Sequence, residues 1–288
     1  MKAGLVAAWE AIRALDESGK RLKGDIFLAP VSGEEDGGLG TFSLIRHLQS
    51  RHRVVDACII PEPTGLDVVP ANGGALTFRL RVPGLAAHAS RRTEGVSAIE
   101  NFLPIMNALK HLEHDRNARV DPLMQRWPIA YPLSIGTASA GDWASSVPDL
   151  LIAEGRLGVA LGESASQARL ALENTVAQAC QHHEWLKDNP VQVEWWGGQF
   201  DPGHTDPDSE ICRAVRDAHV AATHVAPATY GAPYGSDLRL LTTLGNIPTT
   251  QYGPGDSAHA HGPDEYVNVS DLTTCAKVLA SVIADFCG

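Results

Sequence analysis

Two kinds of apolar pattern run along this chain, and their order constrains its fold more than any other feature. IFLAPV (Ile26 to Val31) and VVDACIIP (Val54 to Pro61) are continuous apolar runs, the pattern of strands buried on both faces of a parallel sheet. LTFRLRV, just after Ala75, alternates with period two, so that strand has one wet face and belongs to a more open antiparallel sheet. A chain that opens in the first pattern and switches to the second is built from two different sheets.

Helical patterns fill the spaces between. MKAGLVAAWEAIRAL places Leu5, Ala8, Trp9, Ile12 and Leu15 at three- and four-residue steps, the stripe of an amphipathic helix, although a helix starting at Met1 has no capping side chain for its first N–H groups. A second short helix is expected around Leu44 to Gln49. After the alternating strand come a helix from about Gly95 to Leu112 and strands near Ala130 to Thr137 and Leu150 to Val159. A helix capped by Ser164 or Ser166 then runs to about His183, and VQVEWW (Val191 to Trp196) closes the set. The order β-α-β-β-α-β describes a ferredoxin-like two-layer unit. Past Gly197 the buried alternation returns, with a helix from about Asp208 to Ala222, a turn-rich APYGSD, a strand-like IPTTQYG and a helix from about Asp271 to Phe286. The expected fold is α/β: a mostly parallel-sheet domain of residues 1–74 and 198–288, interrupted by an inserted domain of residues 75–197.

Composition narrows the partners. A net charge of −11 over 288 residues gives no basic footprint for nucleic acid or for an anionic membrane. No apolar run approaches the roughly 18 residues of a spanning helix. Five cysteines, an odd number without CxxC spacing, point to free thiols and a reducing, cytoplasmic setting.

Three stretches carry chemistry. VSGEEDGG places Glu34 and Glu35 in a glycine-rich turn after an apolar run, where open α/β sheets hold their ligands. Gly33, Gly37 and Gly38 allow a backbone on which both carboxylates reach one cavity. CIIPEPTG sets Glu62 between two prolines after the next run, and YGPGDSAHAHGPDEYV brings His259 and His261 in a late loop. Each alone also describes a solvated turn or exposed imidazoles. Together they supply the Glu and His ligand types of a hydrolytic zinc site, with a spare carboxylate as general base.

SGEEDGG, PEPT, GLAAHAS and GPGDSAHAHGPDEYV, in that order across the whole chain, resemble the motif series of the co-catalytic di-zinc amidohydrolases. That family includes acetylornithine deacetylase, succinyl-diaminopimelate desuccinylase, aminoacylase and the glutamate-releasing carboxypeptidase. SIGTASAGDWASSVPD followed by EGRLG is most similar to the acetylornithine deacetylase-related branch. The resemblance implies hydrolysis of the amide bond of an N-acyl amino acid or short peptide, two zinc ions per site with cobalt as a substitute, and a homodimer formed through the inserted domain, which acts as a lid. It implies Glu34 as general base, Glu35 as ligand of one zinc with His261, and Glu62 as ligand of the other. His88 of GLAAHAS would stabilise the oxyanion, and Arg156 of EGRLG and Asp237 of YGSDLRLL would meet the substrate.

The resemblance also implies ligands that these residues do not include. The family's first motif is His-x-Asp at the end of an early strand, and its bridging Asp directly precedes a sequence of the type Met-Lys-Gly-Gly-Leu, where this chain begins MKAGL. The catalytic domain is therefore expected to be N-terminally incomplete, and the activity of this chain impaired. His204-x-Asp206 imitates the motif, but in a turn-rich segment. Two other readings stand beside the deacylase: a non-catalytic dimeric binding module of the same fold, and a di-zinc peptidase.

Overall fold

The computed structural model describes residues 1–288. In chain order the elements are α1 (Lys2–Glu17), α2 (Leu39–Ser50), β1 (Cys58–Ile60), β2 (Val68–Asn72), β3 (Gly74–Pro83), β4 (Ala87–His88), α3 (Ala98–Arg116), β5 (Leu133–Ala140), β6 (Ser146–Val147), β7 (Leu150–Val159), α4 (Ala165–Gln181), β8 (Gln192–Phe200), β9 (Gly203–His204), α5 (Glu210–Thr223), β10 (Thr229–Ala232), α6 (Leu238–Thr243), β11 (Thr249–Gln251) and α7 (Val269–Phe286). They form two compact units: residues 1–72, 203–232 and 236–288, and residues 73–202 with 233–235.

The first unit is a mixed sheet with strand order β1-β11-β2-β10, and β9 pairs with β2. Its longer ladders are parallel: β1 with β11 and β10 with β2 have three paired residues each, against one for β11 with β2 and two for β2 with β9. Successive strand residues face opposite sides. Ile59 accordingly packs with Ala7, Ala11, Val215 and Val278 from α1, α5 and α7, while Cys58 and Ile60 pack with Ile45, Leu241 and Ile247 beside α2 and α6. Helices cover both faces, which is why VVDACIIP reads as continuous.

Three expectations are corrected here. Ile26 to Val31 forms no strand. A strand exists only through its hydrogen-bonded neighbour, and with none beside it this segment leaves Ile26 36%, Phe27 54% and Val31 42% exposed. The second run is paired only over β1, and Val54 is 82% exposed. On α1 the buried stripe is Gly4, Ala7, Ala11 and Leu15, leaving Leu5 and Trp9 outside. The core selects small residues there because α1 lies close against α7 and the Pro61 turn.

The second unit follows its pattern closely. β3 pairs antiparallel with β7 and β8, and β7 with β5. Leu76, Phe78, Leu80 and Val82 face α3 and α4, meeting Phe102, Ile105, Leu109, Leu172 and Val176. Arg79, on the opposite face, pairs with Glu154 at 2.7 Å. Ser164 caps α4 in a full capping box with Gln167, which satisfies two otherwise orphaned N–H groups.

Candidate functional site

The turn bearing Glu34 and Glu35 closes on itself, with Gly37 N–H donating to Glu34 O at 3.0 Å and Gly38 N–H to Gly33 O at 2.8 Å. Gly33, Gly37 and Gly38 have φ of 73°, 101° and 77°, a region that L side chains disfavour. Glu62 follows β1 in the PEP turn. Gly4 of α1 and Gly253 after β11 press so closely on the Pro61–Glu62 backbone that neither has room for a Cβ. His261 leaves a 3-10 turn at Ser257–His259 with φ of 59°, and its Nε2 lies 2.9 Å from Glu35 Oε1, both side chains being exposed. His259 turns away and rests against the Tyr266 ring, centroids 4.5 Å apart.

Glu34, Glu62 and Asp237 share one field. Burial, then the charges of Glu62, Asp237 and Glu35, push the Glu34 carboxyl up to about 7, with Arg239 pulling the other way. Burial also raises Glu62, aided by Asp237 and Glu35 and opposed by the α-amino group of Met1. Asp237 is raised by burial and lowered in part by its bond from Thr41 and by Arg239. Carboxylates crowded in this way either hold a proton or require a cation.

The donors have the chemistry of a zinc edge, a carboxylate and an imidazole in contact. The count falls short: nowhere in the chain do three or more His, Cys, Asp or Glu residues converge to hold a metal ion, whereas a catalytic zinc takes three protein ligands. Glu35 with His261 brings two such donors together, and Glu62 stands apart from them as one. His204 does not restore it: it sits exposed on β9, and Asp206 Oδ1 accepts from Asp208 N–H at 2.8 Å in a local turn.

In the second unit, His88 is exposed, and its Nδ1 accepts the Ser90 N–H at 3.2 Å. The same Nδ1 lies 2.8 Å from Ser90 Oγ, so both contacts hold that side of the ring. Arg156 on β7 donates from Nη2 to Pro233 O at 3.0 Å, and burial lowers its pKa.

Sequence reasoning did not single out Thr41 or Arg239. Thr41 Oγ1 donates to Asp237 Oδ2 at 2.6 Å, and Arg239 Nη2 to Gly37 O at 2.8 Å. The available signal was an Asp-x-Arg opening a helix, a common surface pattern.

A mixed α/β unit with acids gathered in its turns, and a separate two-layer α/β unit, make up the architecture. Residues 1–285 match the profile of peptidase family M20/M25/M40, and the chain belongs to that family. It is 25% identical, over its full length and 70% of the relative, to N-formyl-4-amino-5-aminomethyl-2-methylpyrimidine deformylase of Bacillus subtilis. It is 28% identical to acetylornithine deacetylase of Myxococcus xanthus over 93% of this chain and 67% of that one. Among solved structures, an M20 family metallo-carboxypeptidase from Sulfolobus solfataricus superposes with a TM-score of 0.74 at 14% identity, over 98% of this chain and 75% of that one. The chain is thus an M20 family hydrolase of deacetylase or peptidase type.

Proposed function

We propose that this chain is an amide hydrolase of the deacylase type, acting on an N-acyl amino acid or short peptide. The observation that carries the reading is Glu34, whose partly buried carboxyl is raised to about 7 in the turn it shares with Glu35, itself in contact with His261. A general base works best near the operating pH, so Glu34 takes the proton of the attacking water and delivers it to the leaving amine. His88, its Nδ1 held by Ser90, offers its Nε2 side to the developing oxyanion. Arg156 offers a planar fork to the substrate carboxylate. Asp237, 5% exposed, serves the turn from beneath. Zinc, or cobalt in its place, suits the donor types of Glu35, His261 and Glu62. The names of the deformylase and deacetylase relatives, each describing removal of an acyl group, support the substrate class. Residues 1–72, 203–232 and 236–288 then act as the catalytic domain and the other unit as lid and dimer surface. The five free thiols support a reducing, cytoplasmic setting.

The two-donor count favours a second reading, a dimeric binding module without turnover. Metal analysis and turnover on N-acetyl amino acids, in zinc- or cobalt-supplemented protein, separate them. We expect weak turnover and less than two tightly held ions per chain. Ordinary turnover with two tight zincs would overturn the expected impairment, and a complete lack of turnover selects the binding module.

A further inference from the structure

The peptide group between Gly37 and Gly38 is flanked by two glycines with positive φ, so nothing in its own side chains stops it from flipping. Both of its polar ends are nevertheless held. Its N–H donates to Gly33 O at 2.8 Å, the bond that closes the Glu34–Glu35 turn, and its carbonyl accepts from Arg239 Nη2 at 2.8 Å. A flip would break both bonds and open the turn.

We infer that Arg239 and Asp237, at the start of α6, are positioning residues that lock this peptide and so aim Glu34 and Glu35. The inference rests on the base and ligand roles proposed above. Asp237 supplies the second hold: Oδ2 accepts from Thr41 at the head of α2, and Oδ1 lies against Gly38, in the space a Cβ there would need. Thr41, Asp237 and Arg239 are 3%, 5% and 7% exposed, so water does not compete for these bonds. The platform is itself fixed. Leu238 and Leu241 are buried, Leu238 N–H donates to Ser236 Oγ at 3.3 Å, and Gly203 packs directly on the Arg239 backbone. A short helix anchored in this way can hold a loop to the tolerance that catalysis demands.

The experiment uses Arg239→Met, which keeps the length and removes the donors, Arg239→Lys, which keeps the charge, and Thr41→Val, which acts on Asp237 with little change of volume. Amide hydrogen exchange is followed across residues 33–40 together with α5 and α7, and kcat and KM are measured on an N-acetyl amino acid with added zinc. In Arg239→Met, exchange at Gly37 to Gly40 rises about tenfold while α5 and α7 stay unchanged. The kcat falls by about tenfold with KM nearly constant, Arg239→Lys recovers part of both, and Thr41→Val shows the same pattern more weakly. Unchanged exchange in the turn, or an equal rise in α5 and α7, overturns the inference. Were the parent chain without turnover, the hydrolase reading would fail while the exchange measurement still decided this one.

Discussion

Glu34 is where stability and activity pull apart. Its folded carboxyl ionises near 7 against an ordinary glutamate value of about 4.3. Between those values the folded state binds more protons than the unfolded one, so stability falls as pH rises through that window and levels off above it. Glu62 and Asp237, both raised by burial, add slope of the same sign. Glu34→Gln is therefore expected to raise the melting temperature at pH 8 and to flatten its decline between pH 5 and pH 7. In the same variant kcat should fall by about 10²-fold or more. Melting curves and turnover across that pH range check both, and a variant less stable at pH 8 would contradict the crowding of the acids. The residue types of the site were legible, since glutamates and histidines in glycine- and proline-rich turns stand out against helix patterns. The bonds from Thr41 and Arg239 were not, because they depend on which helix the turn rests on.

At the scale of elements, local signals were read well and pairing was not. The period-two pattern of β3 and the Ser164 cap are written in adjacent residues, and the structure has both. β2 escaped because Pro70 in VVPAN argues against a central strand, yet its carbonyl still accepts from Thr205 N–H at 2.8 Å. The buried stripe on α1 is the small-residue one and not the bulky one of Leu5 and Trp9, because the contact that matters is the approach of Gly4 to Pro61. Gly4→Ala tests this. Helix propensity alone would favour alanine by about 1 kcal/mol, but overpacking costs about 1–3 kcal/mol. We expect net destabilisation in denaturant unfolding, together with a displaced Glu62 turn and reduced turnover. A stabilised Gly4→Ala would mean that α1 does not bear on the turn.

At the scale of the whole molecule, each unit has its own core. The cluster around Leu76, Phe78, Ile105, Leu157 and Leu172 lies within residues 73–202, and its contacts are antiparallel strands and two covering helices. Residues 73–202 expressed alone are expected to fold, with a cooperative thermal transition and the far-ultraviolet signature of mixed α/β structure; a noncooperative melt would show that this core needs the rest of the chain. The division into two sheet types was legible from periodicity. The failure of Ile26 to Val31 to pair was not, because a strand's partner is set by distant sequence. That segment has a colloidal consequence. Exposed Ile26 and Phe27 in a run of high β-propensity form the kind of stretch on which identical chains stack. Asp25 at its head and Pro30 near its end are residue types that oppose such growth, so replacing either is expected to lower the concentration at which light scattering shows the protein dispersed.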